Sequence, residues 1–265
     1  MKCKIIVCLL SLLSFVVTAN AQVEIAFSPD CPGATTGPDI MPQWSIDWET
    51  GSSYEWNRRN GAHEHTWTIN TSLFRLGLTT NVELRFQLDE SATLASQKLY
   101  GGISNASVGT KIKVFEGAKG LPKTAFLGTI LLPGSSQSHY LPKHIGVQSH
   151  LLFGNNITEF FSIGYDIGVE WSSETHRPDI FFGAGLNFQP TDRWCFFIES
   201  YNRFNSEKQE DWARPGHRSH FNCMGETGVS YIVTPRLQLN MYSDICFNEP
   251  LKYINLGVGM AWLLH

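Results

Sequence analysis

The amino-acid sequence predicts an all-β fold: a closed antiparallel transmembrane β-barrel of about twelve strands. The first observation is alternation, because apolar side chains occupy every second position from 161 to 171 and from 180 to 188, as on one face of an extended strand. The second is length, since runs of about ten residues suit a tilted strand that crosses a bilayer. The third is recurrence of the pattern from Trp44 to the C-terminus, which predicts apolar side chains outside and polar ones inside.

Residues 1–21 have the features of a cleaved secretory signal peptide. Lys2 and Lys4 precede the apolar run 5–17, and Ala19-Asn20-Ala21 provides small residues for cleavage. Cleavage removes two lysines and no acid, so the formal charge changes from −4 to −6, which argues against nucleic acid as a partner. No later apolar run approaches the ~20 residues of a membrane helix.

The next segment, residues 22–43, is rich in proline, glycine and threonine and lacks alternation. We interpret it as an N-terminal leader, which either enters the lumen as a plug or hangs in the periplasm. The barrel itself is expected over residues 44–265. Four cysteines remain after the signal peptide without a CxxC pair, and we assign no disulfide bond among them.

The connections between the expected strands alternate in length, which is typical of outer-membrane barrels with short periplasmic turns and longer external loops. An even strand number then places both termini in the periplasm. The short turns are expected near 79–81, 117–121, 154–156, 190–192 and 234–236, and the longer loops near 57–62, 95–105, 133–142, 172–178, 205–217 and 248–251.

Two sets of side chains follow from the strand faces. Tryptophans near strand ends (Trp44, Trp56, Trp171 and Trp194) fit aromatic girdles at the membrane surfaces. Charged side chains between apolar ones are expected to line the lumen and to contact solute. These are Glu83, Arg85, Lys111, Lys113, Asp166, Glu170, Glu199, Glu226 and Asp244.

Both charge signs occur in this set, which favours a polar pore or binding lumen. The alternative is a salt-bridged interior that fills a narrow barrel and conducts nothing, in a structural or surface-interaction protein. A barrel of about twelve strands lies between eight-stranded barrels filled by side chains and wide aqueous porins.

Other chemistry finds less support in the sequence. His63 and His65 form an HxH pair that could bind zinc or copper, with His217 and His220 near another loop, but the spacing provides no third ligand. A lipid-acting barrel enzyme would need a serine–histidine pair, and His139 and His144 are candidates without a GxSxG motif. We therefore expect no enzyme, no bound metal and no cofactor, because phosphate-binding and dinucleotide glycine motifs are missing as well.

Five segments are distinctive: CPGATTGPDIMP (31–42), WETGSSYEW (48–56), LFRLGLTTNVELRF (73–86), VGTKIKVFEGAKGLPKTAFLGTILLP (108–133) and SIGYDIGVEW (162–171). They resemble a family of outer-membrane transporters named after the MetA pathway of phenol degradation. The resemblance spans about residues 30–262.

The resemblance implies a barrel in the bacterial outer membrane that takes up small solutes, including hydrophobic or aromatic compounds. Its partners would be membrane lipids, the solute and the barrel-assembly machinery. That machinery recognises a terminal aromatic residue, whereas this chain ends Trp262-Leu263-Leu264-His265. Recognition would then rest on Trp262.

Overall fold

Alternation of outward apolar and inward polar side chains gives twelve strands in the computed structural model. The structure describes residues 29–59, 62–95, 97–118, 120–134, 140–141, 143–171, 177–210, 218–247 and 253–264. The strands are β1 (Ile46–Arg59), β2 (Ala62–Gly77), β3 (Val82–Ala95), β4 (Lys98–Phe115), β5 (Lys123–Leu131), β6 (Gly146–Asn156), β7 (Phe161–Trp171), β8 (Asp179–Phe188), β9 (Trp194–Glu210), β10 (Arg218–Thr234), β11 (Leu237–Cys246) and β12 (Tyr253–Leu263).

Each strand pairs antiparallel with its neighbour in sequence, and β12 pairs with β1, so the sheet closes into a barrel. The closing pairs run without interruption from Asp47–Leu263 to Asn57–Tyr253. Closure removes the unpaired strand edges that an open sheet would expose. The predicted fold class, a closed antiparallel barrel of about twelve strands, is confirmed.

The two faces of the barrel wall differ as the alternation predicted. Large apolar side chains stand exposed on the outward face, among them Phe86 (45%), Ile167 (51%) and Leu256 (55%). Arg75 and Lys111 on the inward face are wholly buried. This distribution is the reverse of a water-soluble protein, in which charged side chains are almost never fully buried unless they are paired.

Tight turns lie at the end of the barrel where the chain enters β1. The turns expected near 79–81, 117–121, 190–192 and 234–236 are confirmed by the strand bounds. The turn expected at Gly154-Asn155-Asn156 is wrong by a few residues, because β6 continues to Asn156 and the chain reverses at 157–160.

The long loops expected near 57–62 and 95–105 are also wrong. Only residues 60–61 separate β1 from β2, and only 96–97 separate β3 from β4. The expected loop at 205–217 begins too early, because β9 extends to Glu210. These strands continue beyond the apolar band, where polar residues on both faces hide the alternation.

Some expectations lie outside the described residues, namely the signal peptide at 1–21, His139, His217 and the loop at 248–251. Among the residues that the structure describes, no helix is long and apolar enough to span a membrane.

Candidate functional site in the barrel interior

The leader turns back into the barrel before β1 begins. At one wall, the backbone N–H groups of Ala34 and Thr35 donate hydrogen bonds to the carboxylate of Glu199 on β9. Further round, Gln238 of β11 donates its side-chain amide to the carbonyl of Cys31 at 2.9 Å. The segment therefore lies against inward-facing side chains, and residues 30–41 are named the leader loop below.

The leader loop also contacts the opposite side of the lumen. Asp39 forms an ion pair of 2.8 Å with Lys123 on β5, and the N–H of Met41 donates to Glu83 on β3 at 2.9 Å. Pro38 packs at Gly154 of β6, where a Cβ atom would lie 2.9 Å from the proline ring. The loop thus contacts strands on all sides of the interior.

Lys111 on β4 joins the two ends of the leader loop. Its ammonium donates to both carboxylate oxygens of Asp30, at 3.1 and 2.9 Å. It also donates to the carbonyls of Gly37, at 3.0 Å, and Asp39, at 3.2 Å. One buried cation therefore holds the start and the end of the loop together.

Arg75 on β2 is the centre of the ion pairs beside Lys111. Its guanidinium lies 2.9 Å from Glu49 and 2.9 Å from Glu83, and 3.6 Å from Asp47. Charge-assisted bonds to a planar guanidinium are among the strongest in proteins. The strand register brings these side chains together, since Asp47 on β1 and Arg85 on β3 are the direct partners of Arg75 on the two adjacent strands.

Three cations surround the carboxylate of Asp30: Arg75, Arg85 and Lys111. Burial alone would raise the pKa of the Asp30 carboxyl, but Arg75, Lys111 and Arg85 outweigh burial and hold that pKa well below its usual range. Arg85 and Lys111 bind the carboxylate directly. Asp30 is therefore an anion inside the barrel, and we name Arg75, Arg85 and Lys111 the cation cluster.

A different wall of the lumen carries acids that form no ion pair with a cation among the described side chains. Glu226 on β10 is the register partner of Glu199 on β9 and of Asp244 on β11. Asn255 on β12 donates to Asp244 at 2.7 Å and is the register partner of Glu55 on β1. We name the four carboxyl residues Glu55, Glu199, Glu226 and Asp244 the acidic wall.

A third group surrounds His150 on β6. Its two ring nitrogens lie 3.7 Å from Asp166 and 3.6 Å from Glu170, both on β7. Arg203 on β9 pairs with the same Glu170. The edge of the imidazole meets Phe181, with ring centroids 5.4 Å apart. This group combines a polar network with an aromatic face.

Within the described part of the chain, two cavities lie against the leader loop, one toward each end of the barrel. The outer cavity has a volume of about 730 Å³, and its lining includes Arg85, Gln87, His150 and Glu170 together with Ala34 and Thr36 of the leader loop. Volumes of this size are typical of sites for small molecules. The inner cavity, about 230 Å³, has much of the leader loop in its lining, along with Glu199 and Arg193.

The outer cavity also has an apolar wall, which the expectation of a purely polar lumen missed. Leu127 and Leu131 of β5 line it with Leu73, Leu141 and Phe181. Leu127 also joins Ala125 and Leu152 in a small buried cluster on the inward face of β5 and β6. The cavity is therefore amphipathic.

The sequence-predicted lumen residues fall into separate groups. Glu83, Arg85 and Lys111 share the network around Arg75, while Asp166 and Glu170 flank His150. Glu199, Glu226 and Asp244 belong to the acidic wall. Lys113 lies apart, because it pairs with the exposed Glu116 at the turn after β4.

Sequence reasoning missed four members of the buried network: Asp30, Asp47, Glu49 and Arg75. Alternation contained a signal for Arg75, which lies between the outward-facing Phe74 and Leu76. The leader contained none for Asp30, because its partners on β2, β3 and β4 are distant in sequence.

The histidines at 63 and 65 lie on the outward surface of β2. His65 Nδ1 is 2.6 Å from the hydroxyl of Tyr54, and His63 packs against Trp56. Within the described part of the chain, no three His, Cys, Asp or Glu side chains are grouped so as to hold a metal ion. Cys31 is a free thiol whose pKa is raised by burial and then by the nearby Glu49, which makes it unreactive.

No protein-family model and no curated protein matches the chain. Solved structures match in fold. An outer-membrane channel from Pseudomonas putida F1 superposes with a TM-score of 0.67 at 11% identity, covering 92% of this chain and 100% of that one. The translocator domain of the autotransporter NalP from Neisseria meningitidis superposes with a TM-score of 0.50 at 12% identity, covering 82% and 87%. At such identities the likeness shows the barrel fold alone.

Proposed function

We propose that this chain is an outer-membrane channel for small solutes, in which the leader loop separates an outer from an inner cavity. The exposed apolar side chains on the outward face would contact lipid, as in other barrels that span membranes. The observation that carries the proposal is the pair of cavities, one on each side of a segment that is not itself a strand of the barrel and is tied to it by side-chain hydrogen bonds and ion pairs. Solute would cross when the leader loop moves.

The outer cavity supports an amphipathic solute. Leu127, Leu131 and Phe181 offer an apolar surface on one side. Arg85 and His150 offer polar groups to the other end of the molecule. A site of this kind binds a ligand by apolar contact and orients it by a few polar groups. Small aromatic compounds with a polar substituent fit this description.

The test compares two adjacent acids of the same wall. Glu199→Ala removes the acceptor for the backbone of Ala34 and Thr35, whereas Glu226→Ala removes a neighbouring acid for which no leader contact is seen within the described chain. Purified proteins are inserted into planar bilayers and conductance is recorded. We expect Glu199→Ala to raise the conductance several-fold and Glu226→Ala to leave it near the wild-type value.

A sealed structural barrel is the second candidate. The specific observation in its favour is the buried network of Arg75 and Lys111, which ties the leader loop to the wall. It predicts no conductance and no swelling of liposomes in arabinose for wild type and for Glu199→Ala alike. That result would replace the channel by the structural barrel.

A further inference from the structure

We infer that the cation cluster is a binding site for the carboxylate of a small organic acid, which the leader itself occupies through Asp30. An acid that enters the outer cavity would compete with Asp30 for Arg85 and Lys111 and so release the leader loop. This inference rests on the proposed channel function and adds the class of solute to it.

The cation cluster already holds a carboxylate. The Asp30 carboxylate is bound from three directions, by Lys111 at 2.9 and 3.1 Å, by Arg85, and by Arg75 at 3.6 Å. All three cations belong to barrel strands, whereas Asp30 belongs to the leader. The site is therefore built into the wall, and the group that fills it arrives on a separate segment.

Lys111 would lose its hydrogen-bond acceptors if the leader loop moved away. Every hydrogen bond that the Lys111 ammonium donates within the described chain goes to Asp30, Gly37 or Asp39. Without the loop this wholly buried ammonium would keep the attraction of its register partner Glu83 but would lose those hydrogen bonds, which is costly. An incoming carboxylate would take over the contacts of Asp30 and remove that cost. Movement of the loop and binding of an organic acid are thereby linked.

The cation cluster can be reached from the outer cavity. Arg85 lines the outer cavity and keeps 11% of its side chain exposed, while Arg75 and Lys111 are wholly buried. A solute in the outer cavity would therefore meet the cluster at Arg85. Leu73 lines the same cavity and can contact an apolar body attached to the carboxylate. The favoured ligand is a monocarboxylate with an apolar or aromatic body.

The test measures benzoate binding to the purified full chain in detergent by isothermal titration calorimetry. Asp30→Asn removes the carboxylate that occupies the site in wild type. We expect this variant to bind benzoate at least about tenfold more tightly than wild type, because in wild type only the fraction of molecules with Asp30 displaced can bind. Asp39→Asn changes another leader acid, whose carboxylate within the described chain pairs with the partly exposed Lys123 and not with the cation cluster. It serves as the matched control and should bind like wild type.

Two further arms define the chemistry. Benzamide has the same ring without the charge, and it should not share the gain in Asp30→Asn. Adding Arg85→Gln to Asp30→Asn should abolish the gain. Equal benzoate affinity in wild type and Asp30→Asn, or an equal gain for benzamide, would overturn the inference, provided that both proteins migrate as folded barrels on unheated gels.

Arabinose permeation into liposomes, measured on the same preparations, separates the two proposals. Permeation of arabinose without a benzoate effect would overturn the carboxylate site and leave the channel. Tight benzoate binding to Asp30→Asn without permeation of any solute would support the site and overturn the channel.

Discussion

The two charged walls of the lumen both bury carboxyl groups, but they differ in whether these groups are paired with cations. On β1 to β4, Glu49 and Glu83 lie within 3 Å of the Arg75 guanidinium. On β9 to β12, Glu226 has acids as its register partners on both sides, and within the described chain no member of the acidic wall forms an ion pair. The first wall is a network of ion pairs between acids and cations. The second brings carboxyl groups next to one another without such pairs.

The difference teaches how each wall holds the leader. The mixed network binds it in two ways: its cations bind the Asp30 carboxylate, and Glu49 and Glu83 accept hydrogen bonds from backbone N–H groups of the leader. The acidic wall binds it at Glu199, through the backbone N–H groups of Ala34 and Thr35. Charge on the first wall is satisfied by exact pairing, so changes there should cost stability, whereas changes on the second should relieve repulsion.

The largest effect is expected at Arg75. Replacement by alanine leaves Glu49 and Glu83 buried without their shared partner, and loss of one member of a buried pair costs about 3–5 kcal/mol. Arg75→Lys keeps the charge but lacks the planar fork, so its loss should be smaller. Urea unfolding in lipid vesicles, followed by tryptophan fluorescence, measures both. A loss below about 1 kcal/mol for Arg75→Ala would show that the network is not interlocked.

Glu83→Gln should produce the next largest effect. The amide keeps the size of the side chain but cannot pair ionically with Arg75 and Arg85, and hydrogen bonds to charged groups contribute about 1.5–3 kcal/mol. The same unfolding assay should show a loss in that range. Unchanged stability would mean that the ion pairs of Glu83 contribute nothing to the free energy of unfolding, which would contradict the account of this wall.

Glu226→Gln should act in the opposite direction. The new amide can donate to Glu199 or Asp244, its two register partners, and it removes a carboxyl group whose ionised form both neighbours would repel. Like charges directly opposite each other destabilise a sheet by roughly 0.2–1 kcal/mol, so unfolding should require slightly more urea. A clear loss of stability would contradict the contrast between the two walls.

Glu116→Gln at the exposed pair with Lys113 should have the smallest effect. Both side chains reach solvent, and exposed pairs contribute about 0.2–1 kcal/mol, often less. Unfolding curves of Glu116→Gln and wild type that coincide at both low and high salt would agree with this expectation. An effect as large as that of Glu83→Gln would mean that charge alone, without burial, decides stability here.

The sequence allowed the barrel and the faces of its strands to be predicted, because alternation is a local property of each strand. It misled where β4 and β9 continue beyond the apolar band, since polar residues on both faces there resemble a loop. Lys111 and Glu83 were recognised as inward-facing from the same pattern, and they are direct register partners.

The path of the leader could not be predicted in the same way. Residues 30–41 have no periodicity, and their contacts join positions far apart, such as Cys31 with Gln238, 207 residues later. Which inward-facing charges meet depends on barrel closure and register, which no local pattern specifies. Arg75 is the clearest case, because its face was evident while its four acidic partners were not.

The central claim is that the leader loop must move for solute to pass, and a reversible disulfide tests it most directly. A Cβ atom at Gly183 would lie 2.7 Å from Thr35 Oγ1, so Thr35→Cys with Gly183→Cys can join the loop to β8 in a chain whose other cysteines are replaced by alanine. Single-channel conductance is recorded before and after a reductant is added. We predict that the oxidised protein is closed and that reduction restores conductance, while either single variant is insensitive; conductance that is the same in both states would contradict the claim.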